Sequence, residues 1–118
     1  MLVSISVGKS LAYALFNLQE RGRLFIGPGE QVYEGMVIGL HSRSGDLVVN
    51  PLKAKQLTNI RAAGSDENIL LTPPLQLTLE AAIAFINDDE LVEVTPVAIR
   101  VRKKLLRGHE RKRAARAA

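Results

Sequence analysis

The chain has 118 residues, 47% apolar and 24% charged, which is the composition of one globular domain with a real core. No apolar run reaches the ~18 residues of a membrane span and the beginning lacks a signal-peptide pattern. The absence of Cys excludes disulfides and thiolate metal sites, in keeping with the cytoplasm. The net charge of +4 is uneven: residues 1–99 hold seven Lys/Arg and eleven Asp/Glu, whereas residues 100–118 hold nine and one.

The first third of the chain predicts short strands. Residues 2–7 alternate apolar side chains with serine and end at Gly8, which is typical of a strand. The apolar run 10–16, SLAYALF, predicts a second, more buried strand, followed by one helical turn over 17–22, although a helix over this region is the alternative. Residues 23–26 predict a third strand that ends at a Gly-Pro-Gly turn.

The middle of the chain predicts the centre of a sheet. Residues 31–40, QVYEGMVIGL, alternate and then become wholly apolar, which predicts one central strand with Gly35 as a bulge. Turn residues at 43–46 lead into a strand at 47–49. A long polar loop over 50–67 follows, because this stretch shows neither strand alternation nor a helical apolar stripe.

The last third predicts one packed helix between strands. Strand character resumes at 68–72, and the helix at 78–87 has Thr78 as its N-cap. Strands follow at 91–94 and 97–101. We therefore predict a β-rich α+β fold, with about eight short strands in a small mixed or antiparallel sheet or partial barrel and one packed helix. This fold forms a single domain, 1–118, with a body over 1–103 and a basic tail over 104–118, whose helical propensity is broken at Gly108, so that its order would depend on a partner.

The loop is the first candidate site, and its chemistry suits RNA. Cations contact phosphates, and the neutral donors and acceptors between them suit sugar hydroxyls and base edges. No acid precedes Asp66. The candidate contact residues are Lys53, Lys55, Gln56, Thr58, Asn59 and Arg61.

The basic arm from Arg100 to Arg116 is the second candidate, and it is either a solvated tail or a segment that binds a polyanion. His41 and Arg43 follow an apolar strand, where a surface polar contact and an RNA contact are both open. The further candidate RNA-binding residues of the arm are Arg102, Lys103, Lys104, Arg111, Lys112 and Arg113.

No motif indicates catalysis or a resident cofactor. Gly8-Lys9-Ser10 resembles the end of a phosphate-binding P-loop, but Val3 stands where that motif needs glycine. The acids between Asp88 and Glu93 fit a solvated face better than a Mg²⁺ site. Neither histidine has a second ligand at metal-binding spacing. We expect no catalytic site, metal or cofactor in this chain.

Three long blocks nevertheless resemble a known family. The segments NLQERGRLFIGPGEQVYEGMVIGLHSR, DLVVNPLKAKQLTNIRAAGSDE and LTLEAAIAFINDDELVEVTP are similar to the C-terminal domain of the BipA/TypA translational GTPases. The resemblance implies a fragment of a larger protein whose GTPase and elongation-factor-like domains, with their GTP and Mg²⁺, would precede Met1.

The resemblance also implies partners. Members of the family bind the bacterial ribosome and act in ribosome assembly and in stress, notably cold. Their C-terminal domain projects a loop into the A site of the large subunit, near the tRNA acceptor end, and the matching loop here is 53–67. The implied partners are large-subunit rRNA, tRNA and the parent's own upstream domains, with no membrane. The alternative function is a protein-interaction domain in which the acidic body and the 78–94 region dock on those domains or on a ribosomal protein.

Overall fold

The computed structural model describes residues 1–53 and 71–117, without the side chain of Ala117. Eight strands fall within these residues, as the sequence predicted: β1 (Leu2–Ser4), β2 (Gly8–Lys9), β3 (Gly22–Leu24), β4 (Gln31–Val32), β5 (Met36–His41), β6 (Leu47–Val49), β7 (Glu90–Val94) and β8 (Ile99–Lys103). Three helices accompany them: α1 (Ala12–Leu18), α2 (Leu79–Phe85) and α3 (Gly108–Ala117). The fold is α+β and β-rich.

Strand β5 is the centre of an open six-stranded sheet with the order β6-β1-β5-β8-β7. It pairs antiparallel with β1 on one side, and with β8 and then β3 on the other. Strand β6 pairs parallel with β1 and forms one edge of the sheet, whereas β7 forms the opposite edge. Strands β2 and β4 make a separate two-stranded ribbon.

Both faces of this sheet are covered, which explains why its central strand is apolar from Met36 to Leu40. Met36 and Ile38 point into a cluster that includes Leu15 of α1, while Val37 between them points into a second cluster that includes Ala82 of α2. Successive side chains of a strand point to opposite faces, so a run without polar residues is what a doubly covered strand needs.

The helix α1 replaces the strand expected at 10–16, and that prediction was wrong. Leu15 and Ala14 are buried and Leu18 is half-buried, a helical spacing that packs one face against the core cluster. No side chain caps its N-terminus at Leu11. The segment is short and apolar, so its sequence fits both a strand and a helix, and packing against the core stabilises the helix.

The predicted strand at 31–40 is also wrong as one element. A turn at Glu34-Gly35 divides it into β4 and β5, which belong to different sheets. Gly35 has φ +90° and its N–H donates to the Ser4 carbonyl at 3.0 Å. It is therefore a turn glycine rather than a bulge.

The predicted helix at 78–87 is confirmed in position as α2, and its cap is confirmed as Thr78, whose Oγ1 accepts from the Ala81 N–H at 3.1 Å. Of the strand expected at 68–72, residues 68–70 lie outside the described residues, and residues 71–72 are not in a strand. The tail differs from prediction, because Gly108 begins helix α3 instead of breaking one. The part of the chain that the structure describes contains no helix with the length and apolarity of a membrane span.

Candidate RNA-binding surface

The predicted loop leaves and rejoins the body at the two ends of α1. On the entry side, the Leu11 N–H donates to the Pro51 carbonyl at 2.9 Å, and Pro51 is fully buried. On the return side, the Thr72 N–H donates to Oε1 of Gln19 at 2.9 Å. Helix α1 is therefore the base on which both stems of the loop are held.

Of the loop's candidate residues, only the first falls in the described part. Lys53 is exposed, directly after the fixed Pro51 stem, where its ammonium group can meet a ligand. The remaining loop candidates lie outside the described residues: Lys55, Gln56, Thr58, Asn59 and Arg61.

His41 and Arg43 lie near the C-terminal end of α1. The Ser42 N–H donates to the Arg21 carbonyl at 2.9 Å, so the turn after β5 is tied to the residue that follows the helix. Arg43 is exposed, and the His41 ring contacts the Gly45 carbonyl through Nδ1 at 3.1 Å. The structure thus brings Arg43 and Arg21 to the same end of the molecule.

Lys103 does not belong to a surface site, and the structure corrects that prediction. Its side chain is 1% exposed, and Nζ lies 2.5 Å from Oδ2 of Asp46, 2.8 Å from Oε2 of Glu90 and 2.9 Å from Oδ2 of Asp89. Three carboxylates surround one ammonium group, so the charge of Lys103 is paired within the protein and does not face a ligand. The acids expected on a solvated face are in part the partners of this lysine.

The electrostatics of this cluster follow from burial and pairing. Burial opposes the charge of Lys103, but the hydrogen bonds that its ammonium group donates to Asp46, Glu90 and Asp89 outweigh the burial and raise the Lys103 pKa. Burial likewise opposes the charge of Asp46, and the Lys103 ammonium reverses this and lowers the Asp46 pKa. Both groups are held charged at neutral pH.

Arg102 is only partly available. Its Nη1 donates to the Lys103 carbonyl at 3.0 Å, and its Nε lies 3.7 Å from Oε2 of Glu93. Glu93 also accepts a hydrogen bond from the Tyr33 hydroxyl. These contacts hold the arginine against the β7–β8 pair, so Arg102 is a weaker candidate for an RNA contact than the sequence indicated.

Helix α3 is attached to the body through its first turn. The Gly108 N–H donates to Oε2 of Glu34 at 2.9 Å, and Arg111 donates to the Leu105 and Leu106 carbonyls at 2.8 and 2.6 Å. Arg111 is therefore half-buried in the junction.

Four basic or titratable side chains share one stripe of α3, because their spacing is i, i+3, i+4 and i+7: His109, Lys112, Arg113 and Arg116. All four are exposed, as is Lys104 before the helix. A stripe of this kind presents cations to a polyanion with little competition from Glu110, the one acid of the helix.

Two grooves border the edge strand β6. The first, the α1 groove, lies between α1 and β6, encloses about 520 Å³ and is lined by polar and apolar side chains that include Arg21 and Lys53. The second, the α3 groove, lies between α3 and β6, encloses about 1060 Å³ and is mostly apolar, with Ile5 and Leu105 in its wall. Val48 lines both, so the two grooves meet at this edge of the sheet.

Sequence reasoning missed three residues of the α1 groove: Asn17, Arg21 and Asn50. The signal for two of them was present. Residues 14, 17, 18 and 21 have the i, i+3, i+4, i+7 spacing of one helix face, which would have placed Arg21 beside Asn17 had the segment been interpreted as a helix. Asn50 could not be found in this way, because its position depends on the pairing of β6.

Residues 1–108 match the family model described as "TypA/BipA C-terminal domain". A relative in Buchnera aphidicola subsp. Acyrthosiphon pisum, named "Large ribosomal subunit assembly factor BipA", is 63% identical over 98% of the chain. Relatives with the same name in Escherichia coli strain K12 and Salmonella typhimurium are 58% and 57% identical over 99% and 98% of the chain. The chain spans 19% of the length of each of these relatives.

Proposed function

The chain belongs to the TypA/BipA C-terminal domain family, and from that premise we propose that it is the RNA-binding part of a longer, ribosome-associated GTPase that serves in assembly of the large ribosomal subunit. The observation that carries the proposal is the similarity along nearly the whole chain to proteins named large ribosomal subunit assembly factors. No catalytic role is proposed for these residues. GTP and Mg²⁺ would be bound elsewhere in the longer protein, which would be cytoplasmic and act under stress such as cold.

The loop 53–67 is proposed to enter the A site of the large subunit, near the tRNA acceptor end. Its stems support this role, because Pro51 is hydrogen-bonded to Leu11 at the start of α1 and Thr72 to Gln19 at its end, which fixes where the loop emerges. A loop held at both stems can place its cations at a defined position while the segment between them follows the RNA.

Helix α3 is proposed to add affinity more than position. Lys112 and Arg113 are exposed on the helix, which is joined to the body through Glu34 and Arg111, and Lys104 is exposed just before it. Each phosphate that such a cation neutralises releases counterions, so this contribution falls steeply with salt.

The test uses the full-length protein and purified large ribosomal subunits. Lys55→Ala with Arg61→Ala removes two loop cations and leaves Lys53 in place. We expect the dissociation constant to rise about tenfold or more, and the slope of log K against log salt to become shallower by about 1 to 2. Lys9→Ala with Arg23→Ala is the matched control, since it removes the same charge from exposed positions of β2 and β3. Equal effects of the two variants would refute the placement of the loop.

A second candidate, docking of a protein on the α2 and β7 region, is favoured by exposed apolar side chains there: Leu79 at 43%, Ile83 at 58% and Val94 at 64%. Val97, in the turn after β7, is 90% exposed. Ile83→Lys with Val97→Lys discriminates the two functions. Loss of subunit binding in this variant, together with normal binding by the loop variant, would favour the docking function.

A further inference from the structure

The α1 groove has an unusual chemical composition for this part of the chain. Its walls carry Arg21 and Lys53, the side-chain amides of Asn17 and Asn50, and apolar surface from Leu18 and Leu47. Among the described residues that line it there is no Asp or Glu. Residues 1–99 have four more acids than bases, so a groove with only cations is a local reversal of the body's charge.

The floor of the groove contains an open sheet edge. The Leu47 N–H donates to the Met1 carbonyl at 2.8 Å, and the Ile5 N–H donates to the Val49 carbonyl at 2.9 Å. In a parallel ladder, alternate residues of a strand bond to a given neighbour. Leu47 and Val49 therefore face β1, and the N–H and C=O of Val48 point away from it, toward the groove.

Asn50 has a fixed amide orientation. Its Oδ1 accepts hydrogen bonds from Oγ of Ser6 at 2.9 Å and from the Leu52 N–H at 3.0 Å. Because one oxygen accepts both bonds, the amide nitrogen with its two N–H donors points away from Ser6 and Leu52. The groove thus offers oriented neutral donors beside two cations.

We infer that the α1 groove binds a single-stranded segment of RNA, which continues from the loop stem at Lys53 past the edge of β6. Arg21 and Lys53 would contact phosphates, the amide donors of Asn17 and Asn50 would contact sugar or base oxygens, and Leu18 and Leu47 would pack against a ribose or base. The volume of about 520 Å³ is in the range of ~300–1,000 Å³ that accommodates a small-molecule-sized unit such as a nucleotide.

The inference rests on the proposed RNA-binding function and extends it to residues outside the loop. It also connects the two basic parts of the chain, the loop stem at Lys53 and helix α3, by one continuous path for RNA. Val48 lines both grooves, and Lys112 lines the α3 groove on its other side, so a strand in the α1 groove that crosses β6 would reach the α3 helix.

Two variants test the groove, with a control for each. Arg21→Ala removes one cation, and Lys9→Ala removes one from β2, where the lysine is exposed. Val48→Glu places a carboxylate at the exposed edge β6, and Val94→Glu places one at the opposite edge, β7, where the valine is also exposed. Binding of the 118-residue chain to protein-free large-subunit rRNA is measured by filter retention over a range of salt, after circular dichroism has verified folding.

We expect Arg21→Ala to weaken binding about 3- to 10-fold and to make the salt slope shallower by about 0.7, the value for one phosphate contact on a single strand. Val48→Glu should weaken it at least tenfold, and both controls should stay within about twofold. Residue-resolved NMR supplies a measurement without substitution: adding a 12-nucleotide oligouridylate should shift the Val48 backbone amide and the Asn17 and Asn50 side-chain amides.

The outcomes separate this inference from the function on which it rests. If Lys55→Ala with Arg61→Ala weakens rRNA binding while Arg21→Ala and Val48→Glu behave as their controls, the groove is overturned and the loop function stands. If none of these variants alters binding, both are overturned. If the groove variants weaken binding to intact subunits but not to protein-free rRNA, the occupant is a ribosomal protein and the RNA assignment is overturned.

Discussion

Lys103→Met would test the buried ion cluster at the end of β8. Methionine keeps most of the volume of the side chain and removes only the ammonium group, which lies 2.8 Å from Oε2 of Glu90 and 2.5 Å from Oδ2 of Asp46. The carboxylate of Glu90 is itself fully buried, whereas those of Asp46 and Asp89 are 36% and 62% exposed. The main consequence falls on Glu90, because water can solvate the other two.

The magnitude follows from leaving one buried carboxylate without its cation. Removing one partner of a buried ion pair costs about 3–5 kcal/mol of unfolding free energy. Glu90 keeps one compensating contact, since its Oε1 accepts the Asn87 N–H at 2.8 Å, which places the expected loss near ~3 kcal/mol. Adding Glu90→Gln to the variant removes the unpaired charge and should recover at least half of that loss.

The pH dependence has a defined sign. In the wild type, the pKa of Asp46 is lowered, so its stabilising contribution is present above the unfolded value of about 3.9 and is lost as the pH falls through the folded value. The variant lacks the ammonium group that lowers this pKa, so the difference in unfolding free energy between the two proteins should narrow as the pH falls below about 3.9.

Urea denaturation followed by far-ultraviolet circular dichroism measures these changes. With a denaturant slope of ~1.5 kcal/mol/M, a loss of ~3 kcal/mol moves the midpoint by about 2 M. The reasoning is refuted if Lys103→Met stays within about 0.5 kcal/mol of the wild type, or if the double variant with Glu90→Gln is less stable than the single one.

Two further substitutions test local features. Gly35→Ala should lower the free energy of unfolding by about 2 kcal/mol or more, because φ is +90° and an added Cβ would lie 2.6 Å from the Leu106 carbonyl oxygen. The thermal midpoint should fall, and amide hydrogen exchange in α3 should become faster. An unchanged midpoint would contradict the close approach of Gly35 to Leu106. Thr78→Ala should lower the free energy of unfolding by about 1 kcal/mol, because Oγ1 no longer accepts the hydrogen bond from the Ala81 N–H. Thr78→Ser keeps a hydroxyl and should retain most of that stability in urea denaturation. Equal losses in the two variants would show that the N-cap hydrogen bond does not stabilise α2.

Local sequence signals were sufficient where one residue determines the geometry. Thr78 is the N-cap of α2, as its residue type predicted. Gly29 and Gly45 have positive φ in the turns that the sequence predicted. The alternation of apolar residues also located most strands. These features depend on contacts within a few residues, so they can be derived without knowledge of the rest of the fold.

The sequence misled where a segment is apolar and short. SLAYALF suits a buried strand or a helix equally, and the core around Leu15 decided for the helix. The tail shows the same limit, because the bond from Gly108 to Glu34 joins residues 74 positions apart. Lys103 was predicted as an exposed cation on composition, and three carboxylates from β7, its preceding turn and the turn before β6 instead surround it.

Residue types in local order are enough to predict the family, the β-rich class, the basic character of the loop and tail, and the position of α2. Which cations are exposed to a ligand depends instead on contacts between distant parts of the chain. Pairing of β6 with β1 and packing of α1 beside it bring Arg21, Asn50 and Lys53 around one groove, while the pairing of β7 with β8 buries Lys103. A lysine or arginine can bind a ligand only if its charge faces solvent, and a buried cation that is paired with carboxylates, such as Lys103, cannot.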